Sequence, residues 1–231
     1  MRADGTRISR GYAMKITKTM KQALAAFGIG TAAGMLNPAY AIGLMKGYDI
    51  RKMGSRNPGA SNVIMLEGKK AGAFVMAFDM SKAAAAVKLC RDIFPDFKSA
   101  AETAGAASIL GHMFSPLMRF RGGKGLACLG GTILAFGLRD FATMLLSEIV
   151  LLGATRYICL VPITASVAYP IYHGITSGNK QGAAILGTVA LPIFLKHREN
   201  LERIRQGREF KVDFLWNRDA ELQRTGWAAE V

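Results

Sequence analysis

Uncharged and polar stretches alternate along this chain at the scale of a membrane. Gln22 to Met45 runs for 24 residues without a charge, and a helix of that length crosses a hydrocarbon core of about 30 Å. After a polar loop from Lys46 to Lys70, the apolar blocks are Ala71–Leu89, Thr103–Met118, Leu126–Leu138, Phe141–Thr155, Tyr157–Asn179 and Gln181–Leu195. The pattern predicts an all-α, polytopic integral membrane protein with about seven transmembrane or half-inserted helices. Several blocks are short for a full crossing, so kinked, tilted or half-inserted helices are expected. Pro162 and Pro170 fall inside one block and Glu148 inside another. Asp79 and Lys82, three residues apart on one helical face, predict an ion pair that lowers the cost of burying both.

Three parts follow from this pattern: a basic leader over 1–21, a multi-span domain over 22–195, and a basic amphipathic segment with a polar tail over 196–231. The leader carries Arg2, Arg7, Arg10, Lys15, Lys18 and Lys21, and with Ala39–Tyr40–Ala41 it also fits a secretory signal with its cleavage site. The apolar run continues past that site to Met45, which favours a span. The segment KHRENLERIRQGREFKVD has Leu201 and Ile204 as its aliphatic anchors and reads as a surface helix on anionic lipid. Past Trp216 a loosely held tail is expected.

Half the residues are hydrophobic (51%) and 20% are charged, yet 30 Lys and Arg against 16 Asp and Glu give a net charge of +14. That composition excludes a disordered chain. The basic residues cluster in short loops between uncharged stretches, without the aromatic interleaving or motifs of a nucleic-acid binder, so lipid and not nucleic acid is the expected partner. By the positive-inside rule the loops 46–70 and 119–124 and the C-terminal segment lie on the cytoplasmic side of a bacterial inner membrane. Seven spans then place the amino terminus outside, against its own basic charge. Cys90, Cys128 and Cys159 lie in apolar surroundings and read as reduced packing residues; no Cys/His cluster predicts a metal.

The candidate chemistry sits in those same-side loops. Gly54–Asn62 reads GSRNPGASN, with hydroxyls at Ser55 and Ser61, amides at Asn57 and Asn62, and charge from Arg51, Lys52 and Arg56. Small residues free backbone N–H groups for an anion, though a plain polar turn has the same composition. Phe120–Gly125, FRGGKG, offers Lys124 after Gly122 and Gly123 and ahead of an apolar helix, where a phosphate meets unpaired N–H groups. The run lacks the spacing of a nucleotide-binding P-loop. His112 lies inside an apolar block and needs a partner or a polar cavity. His197 and Asn200 share one helical face. Each of these has a purely structural alternative.

Taken in order, GSRNPGASN, GHMFSPLMRFRGGKGLA (Gly111–Ala127) and HRENLERIRQGRE (His197–Glu209) resemble the signatures of the bacterial acyl-phosphate:glycerol-3-phosphate acyltransferase (PlsY) family: G-S-x-N-x-G-A-T-N, then G-H-x-F-P with F-x-G-G-K-G, then H-x-E-N with a following G-x-E. The resemblance spans about Leu36 to Lys211. It implies an integral membrane enzyme that moves an acyl chain from acyl phosphate to the 1-hydroxyl of glycerol 3-phosphate, the first step of phospholipid synthesis, without a cofactor. Carried over by position, it assigns Ser55, Asn57 and Lys124 to phosphate or substrate contacts, and places Arg56, Asn62, Gly122 and Gly123 within the phosphate-binding loops. His197 and Asn200 flank the reacting groups with Lys124, while His112 and Glu209 organise the motifs or bind substrate.

The chain departs from the pattern in places. Met65 stands where the family has an arginine, Arg56 replaces a glycine, Ser61 and Cys128 stand for threonines, and Ser115 displaces a proline to Pro116. A divergent member with another acceptor, or a phosphate- and lipid-binding protein without turnover, is the alternative these departures suggest. The His-x-x-x-x-Asp pair of other glycerolipid acyltransferases has no match, since Leu117 and Glu202 occupy the fifth positions after His112 and His197.

Overall fold

A computed structural model describes residues 4–226, with side chains from Thr17 onward. The described residues fold into α-helices and short 3-10 turns without a strand. The helices are α1 (Asp4–Met35), α2 (Pro38–Met45), α3 (Ala60–Glu67), α4 (Lys69–Ile93), α5 (Ala100–Met113), α6 (Leu126–Phe136), α7 (Leu138–Thr155), α8 (Leu160–Ser177), α9 (Lys180–Gly187), α10 (Ala190–Lys196), α11 (Arg198–Arg205) and α12 (Arg218–Thr225).

The central helix is α5, whose sequence AAETAGAASILGHM is buried from Ala100 to Met113 except at Leu110. Small residues let neighbours approach its backbone closely. A methyl added at Gly30 or Gly34 of α1 would strike the carbonyl of Ala104 or Ser108, and one at Gly131 of α6 would strike Met80 of α4. Around this core, Ile109, Met113, Leu129, Ile133, Tyr169, Leu186 and Ile193 form one apolar cluster.

Apolar side chains also cover much of the outside. Val167, Ile171 and Ile175 line one exposed face of α8, and Leu145, Leu146, Ile149 and Val150 are exposed on α7, a far larger apolar display than an aqueous surface carries. Among the described residues no helix is long and apolar enough to cross a membrane. The charges that interrupt the hydropathy of α4 include Asp79 and Lys82, which turn inward, 2% and 7% exposed, and pair at 2.6 Å as the sequence predicts.

Three expectations are corrected. The uncharged run 22–45 is not one helix. Pro38 occupies the first position of α2 and holds Asn37 extended, at φ −131°. The Asn37 side chain accepts from the N–H of Tyr40 at 2.8 Å and donates to the Pro58 carbonyl at 3.0 Å, while buried Lys82 donates to the freed carbonyls of Gly34 and Leu36. An ammonium at a helix C-terminus meets both unpaired oxygens and the negative end of the dipole. Gln181–Leu195 divides likewise into α9 and α10, because Pro192 has no N–H for the Thr188 carbonyl one turn back. Through residue 226, the described part of the polar tail is not loosely held: α12 buries Glu221, Leu222 and Thr225, and Phe210, Phe214 and Leu222 pack with Met65; residues 227–231 lie outside the described residues. The cysteines are free and buried, as expected. Of the basic leader, Arg2 and the side chains of Arg7, Arg10 and Lys15 lie outside the described residues; Lys18 pairs with Asp96 at 2.7 Å.

Candidate active site

The loop that carries Lys124 is built on the C-terminus of α5. The N–H groups of Gly122 and Gly123 donate to the carbonyls of Met113 and His112 at 3.1 Å each, satisfying acceptors that a helix end leaves open. A Cβ at Gly122 would run into the His112 carbonyl and one at Gly123 into the His112 ring, so the two glycines are a condition of this docking. Gly125, at φ 87°, then starts α6.

His197 forms the elbow between α10 and α11. Its Nδ1 lies 2.8 Å from the Ile193 carbonyl; a carbonyl only accepts, so Nδ1 carries the hydrogen and Nε2 presents a lone pair. Burial, reinforced by the nearby charges of Lys124 and Arg203, pushes the imidazole pKa down to about 4, against the opposing carbonyl bond. The ring is therefore neutral near pH 7 and shaped to accept a hydrogen bond.

One turn on, Asn200 joins two motifs. Its Oδ1 accepts from Lys124 Nζ and its Nδ2 donates to Glu209 Oε1 at 2.6 Å. Glu209 Oε2 in turn accepts from Arg203 Nε at 2.7 Å. Gly207, at φ 69°, provides the turn that returns Glu209 to α11. Burial lowers the Lys124 pKa to about 8; Arg203 acts in the same direction, and Glu209, Glu199 and Cys159 oppose it. Lys196 secures the elbow to the glycine loop, lying 5.1 Å over the Phe114 ring and 3.4 Å from the Gly122 carbonyl.

In the first loop, fully buried Asn62 is an internal peg. It accepts from the Ser55 N–H at 2.9 Å and donates to the carbonyls of Ile50 and Met53 at 3.2 and 3.0 Å, so its amide serves the loop itself. Ser55 and Asn57 are half-buried and Arg56 is exposed in a left-handed conformation, φ 57°. Arg51 spans from this loop to the carbonyl of Met118 at 2.6 Å, two residues before FRGGKG. The three motifs thus form a ring of contacts at one end of the molecule: first loop to glycine loop through Arg51, glycine loop to α11 through Lys124 and Asn200, and α3 to the C-terminal segment through Met65.

His112 lies beneath this ring. Its Nδ1 is 3.2 Å from Lys82 Nζ and 3.6 Å from Asp79, and its ring backs Gly123. Atoms of Asp79, His112 and Cys128 come within 4.8 Å of one another, but the Lys82 ammonium already occupies the cation position between Asp79 and His112. Sequence reading did not find Arg203 as the partner of Glu209; the signal was the six-residue return through Gly207. It also missed the buried contact of His173 with Glu102 at 3.0 Å, in a cavity of about 520 Å³ that also includes Arg91, Arg139 and Asn179. That cavity opens at the N-terminal end of α5, away from the motif residues.

A family model described as glycerol-3-phosphate acyltransferase matches residues 24–207. The glycerol-3-phosphate acyltransferase of Legionella pneumophila (strain Philadelphia 1) is 36% identical over 191 residues, covering 80% of this chain and 67% of that protein. That of Coxiella burnetii (strain Dugway 5J108-111) is 33% identical over 169 residues, 73% of this chain and 86% of the relative. The crystal structure of PlsY, an integral membrane glycerol 3-phosphate acyltransferase, in its glycerol 3-phosphate form superposes with a TM-score of 0.73 at 28% identity, covering 84% of this chain and 96% of that one; the lysophosphatidic acid form gives 0.72, covering 82% and 94%. With the motif residues gathered at one end of the same helical fold, the chain belongs to the glycerol-3-phosphate acyltransferase family.

Proposed function

We propose that this protein transfers an acyl group from acyl phosphate to the 1-hydroxyl of glycerol 3-phosphate, giving lysophosphatidic acid and inorganic phosphate, at the cytoplasmic face of a bacterial membrane. The observation that carries the reading is the chain from half-buried Lys124 to buried Asn200 and Glu209, with His197 one turn away, which joins two motifs 76 positions apart. Acyl phosphate is an activated anhydride, so no protein nucleophile is required. The acceptor oxygen bonds to the acyl carbon, the bond from that carbon to the phosphate oxygen breaks, and phosphate leaves with the electron pair. The hydroxyl proton passes to His197 Nε2 or to the phosphate. Lys124 faces the anionic groups, where a positioned charge in a dry site contributes about 2.7–4 kcal/mol to the transition state. The exposed apolar faces of α7 and α8 keep the site beside lipid, where the acyl chain lies.

One observation favours a second reading. Met65, where the resemblance expects an arginine, is 3% exposed inside an apolar cluster, so that position offers no charge to an acceptor phosphate; another polyol acceptor fits such a site. Phosphate release from palmitoyl phosphate, measured with and without glycerol 3-phosphate, decides. Release that depends on glycerol 3-phosphate is expected. Acceptor-independent release, or release driven only by another polyol, overturns the first reading.

A further inference from the structure

Beyond residue 207, where the family match ends, the chain folds back against the site. The Val212 N–H donates to the Arg156 carbonyl at 2.7 Å, and the Arg156 guanidinium pairs with Asp213. The Lys211 N–H donates to Glu221 Oε2 at 2.9 Å. Phe210, Phe214 and Leu222 pack against Met65 and Ile158. From α12, Arg224 reaches the turn that presents Glu209. Its Nη1 donates to the Gly207 carbonyl at 2.7 Å and its Nη2 to the Glu209 carbonyl at 2.6 Å, while Glu221 holds the guanidinium at 2.9 and 2.7 Å. A planar fork of five N–H donors can grip a carboxylate and two carbonyls together; an ammonium cannot hold all of them in one plane.

We infer that the segment 210–226 is a clamp on the active site, with Arg224 a positioning residue that fixes Glu209 and, through it, Asn200 and Lys124. This rests on the proposed reading of those three residues. Met65 is the seat of the clamp. The position that the resemblance expects to be charged is instead apolar because Phe210, Phe214 and Leu222 lie on it. Arg224 does not replace the missing arginine as a phosphate ligand, since four of its five N–H donors are engaged by Glu221 and the two carbonyls.

The test uses the full chain in phospholipid bilayers, with Arg224→Ala and Arg224→Lys. For Arg224→Ala, kcat falls by up to about 10²-fold, the scale of a misplacement of reacting groups by about 1 Å, while KM for palmitoyl phosphate holds. Of the groups that face Lys124, Arg203 lowers its pKa and Glu209, Glu199 and Cys159 raise it; releasing Glu209 therefore moves the alkaline limb of the pH profile to lower pH. Backbone amides of 203–211 exchange faster and those of α5 do not. Arg224→Lys is intermediate in all three. Wild-type kcat and alkaline limb in Arg224→Ala overturn the inference, as does a loss of protection spread evenly over the molecule. If wild-type protein transfers no acyl group, the functional reading fails, and the exchange contrast at 203–211 still decides the clamp.

Discussion

Half-buried Lys124 and buried His197 respond in the same direction, since loss of water disfavours the charged form of each. The consequences differ because their ordinary pKa values differ. His197, at about 4, is neutral through the physiological range, whereas Lys124, at about 8, remains mostly protonated at pH 7. In the proposed mechanism Lys124 acts charged, and His197, where it takes the proton, acts neutral; on that reading kcat/KM falls with pH through about 8, and rises through about 4 if His197 rather than the phosphate is the base. A rate profile flat from pH 7 to 10 contradicts a charged Lys124 in the reaction. Lys124→Ala lowers kcat by about 10²–10³, the scale of removing one positioned donor, with circular dichroism unchanged. Retained turnover removes Lys124 from the mechanism.

At the scale of elements, the site depends on backbones that come close enough for small residues alone. Gly34 of α1 faces the Ser108 carbonyl of α5 without room for a side chain, while Gly28 has nothing within 4 Å of an added methyl. Gly34→Val therefore destabilises by about 1–3 kcal/mol through overpacking, and Gly28→Ala is neutral or slightly stabilising because alanine favours helix. Thermal unfolding in detergent distinguishes them; equal midpoints show that the α1–α5 approach is not limiting. The Ser115 departure also finds a place here: its buried hydroxyl donates to the Met35 carbonyl at 3.4 Å, joining the turn before FRGGKG to the break between α1 and α2.

Over the whole molecule, α5 separates two polar ends. His112 and the glycine loop mark one; Glu102, with Asn179 Nδ2 at 2.9 Å and the Lys98 carbonyl beside it, marks the other. The proposed function puts the motif end at the cytoplasmic face, the side the positive-inside rule predicts. Single cysteines at exposed Lys52 and Arg205 should react with an impermeant thiol reagent from the cytoplasmic side, and cysteines at Lys98 and Lys180 from the opposite side. The three buried native thiols give a low background. Labelling of Lys52→Cys and Arg205→Cys from different sides is incompatible with a shared site.

The helical class, the apolar blocks, the Asp79–Lys82 pair and the three motif segments were legible in the sequence, because periodicity, charge spacing and glycine-rich loops are local consequences of residue type. Tertiary structure decided what lies between those segments: that Asn200 is the link from Lys124 to Glu209, that Asn62 spends its amide inside its own loop, that an uncharged run breaks at Asn37–Pro38 over a buried lysine, and that a polar tail packs on Met65. Such contacts join residues tens of positions apart. Their energies depend on distance, burial and the direction of each donor, which a linear order of residues does not contain.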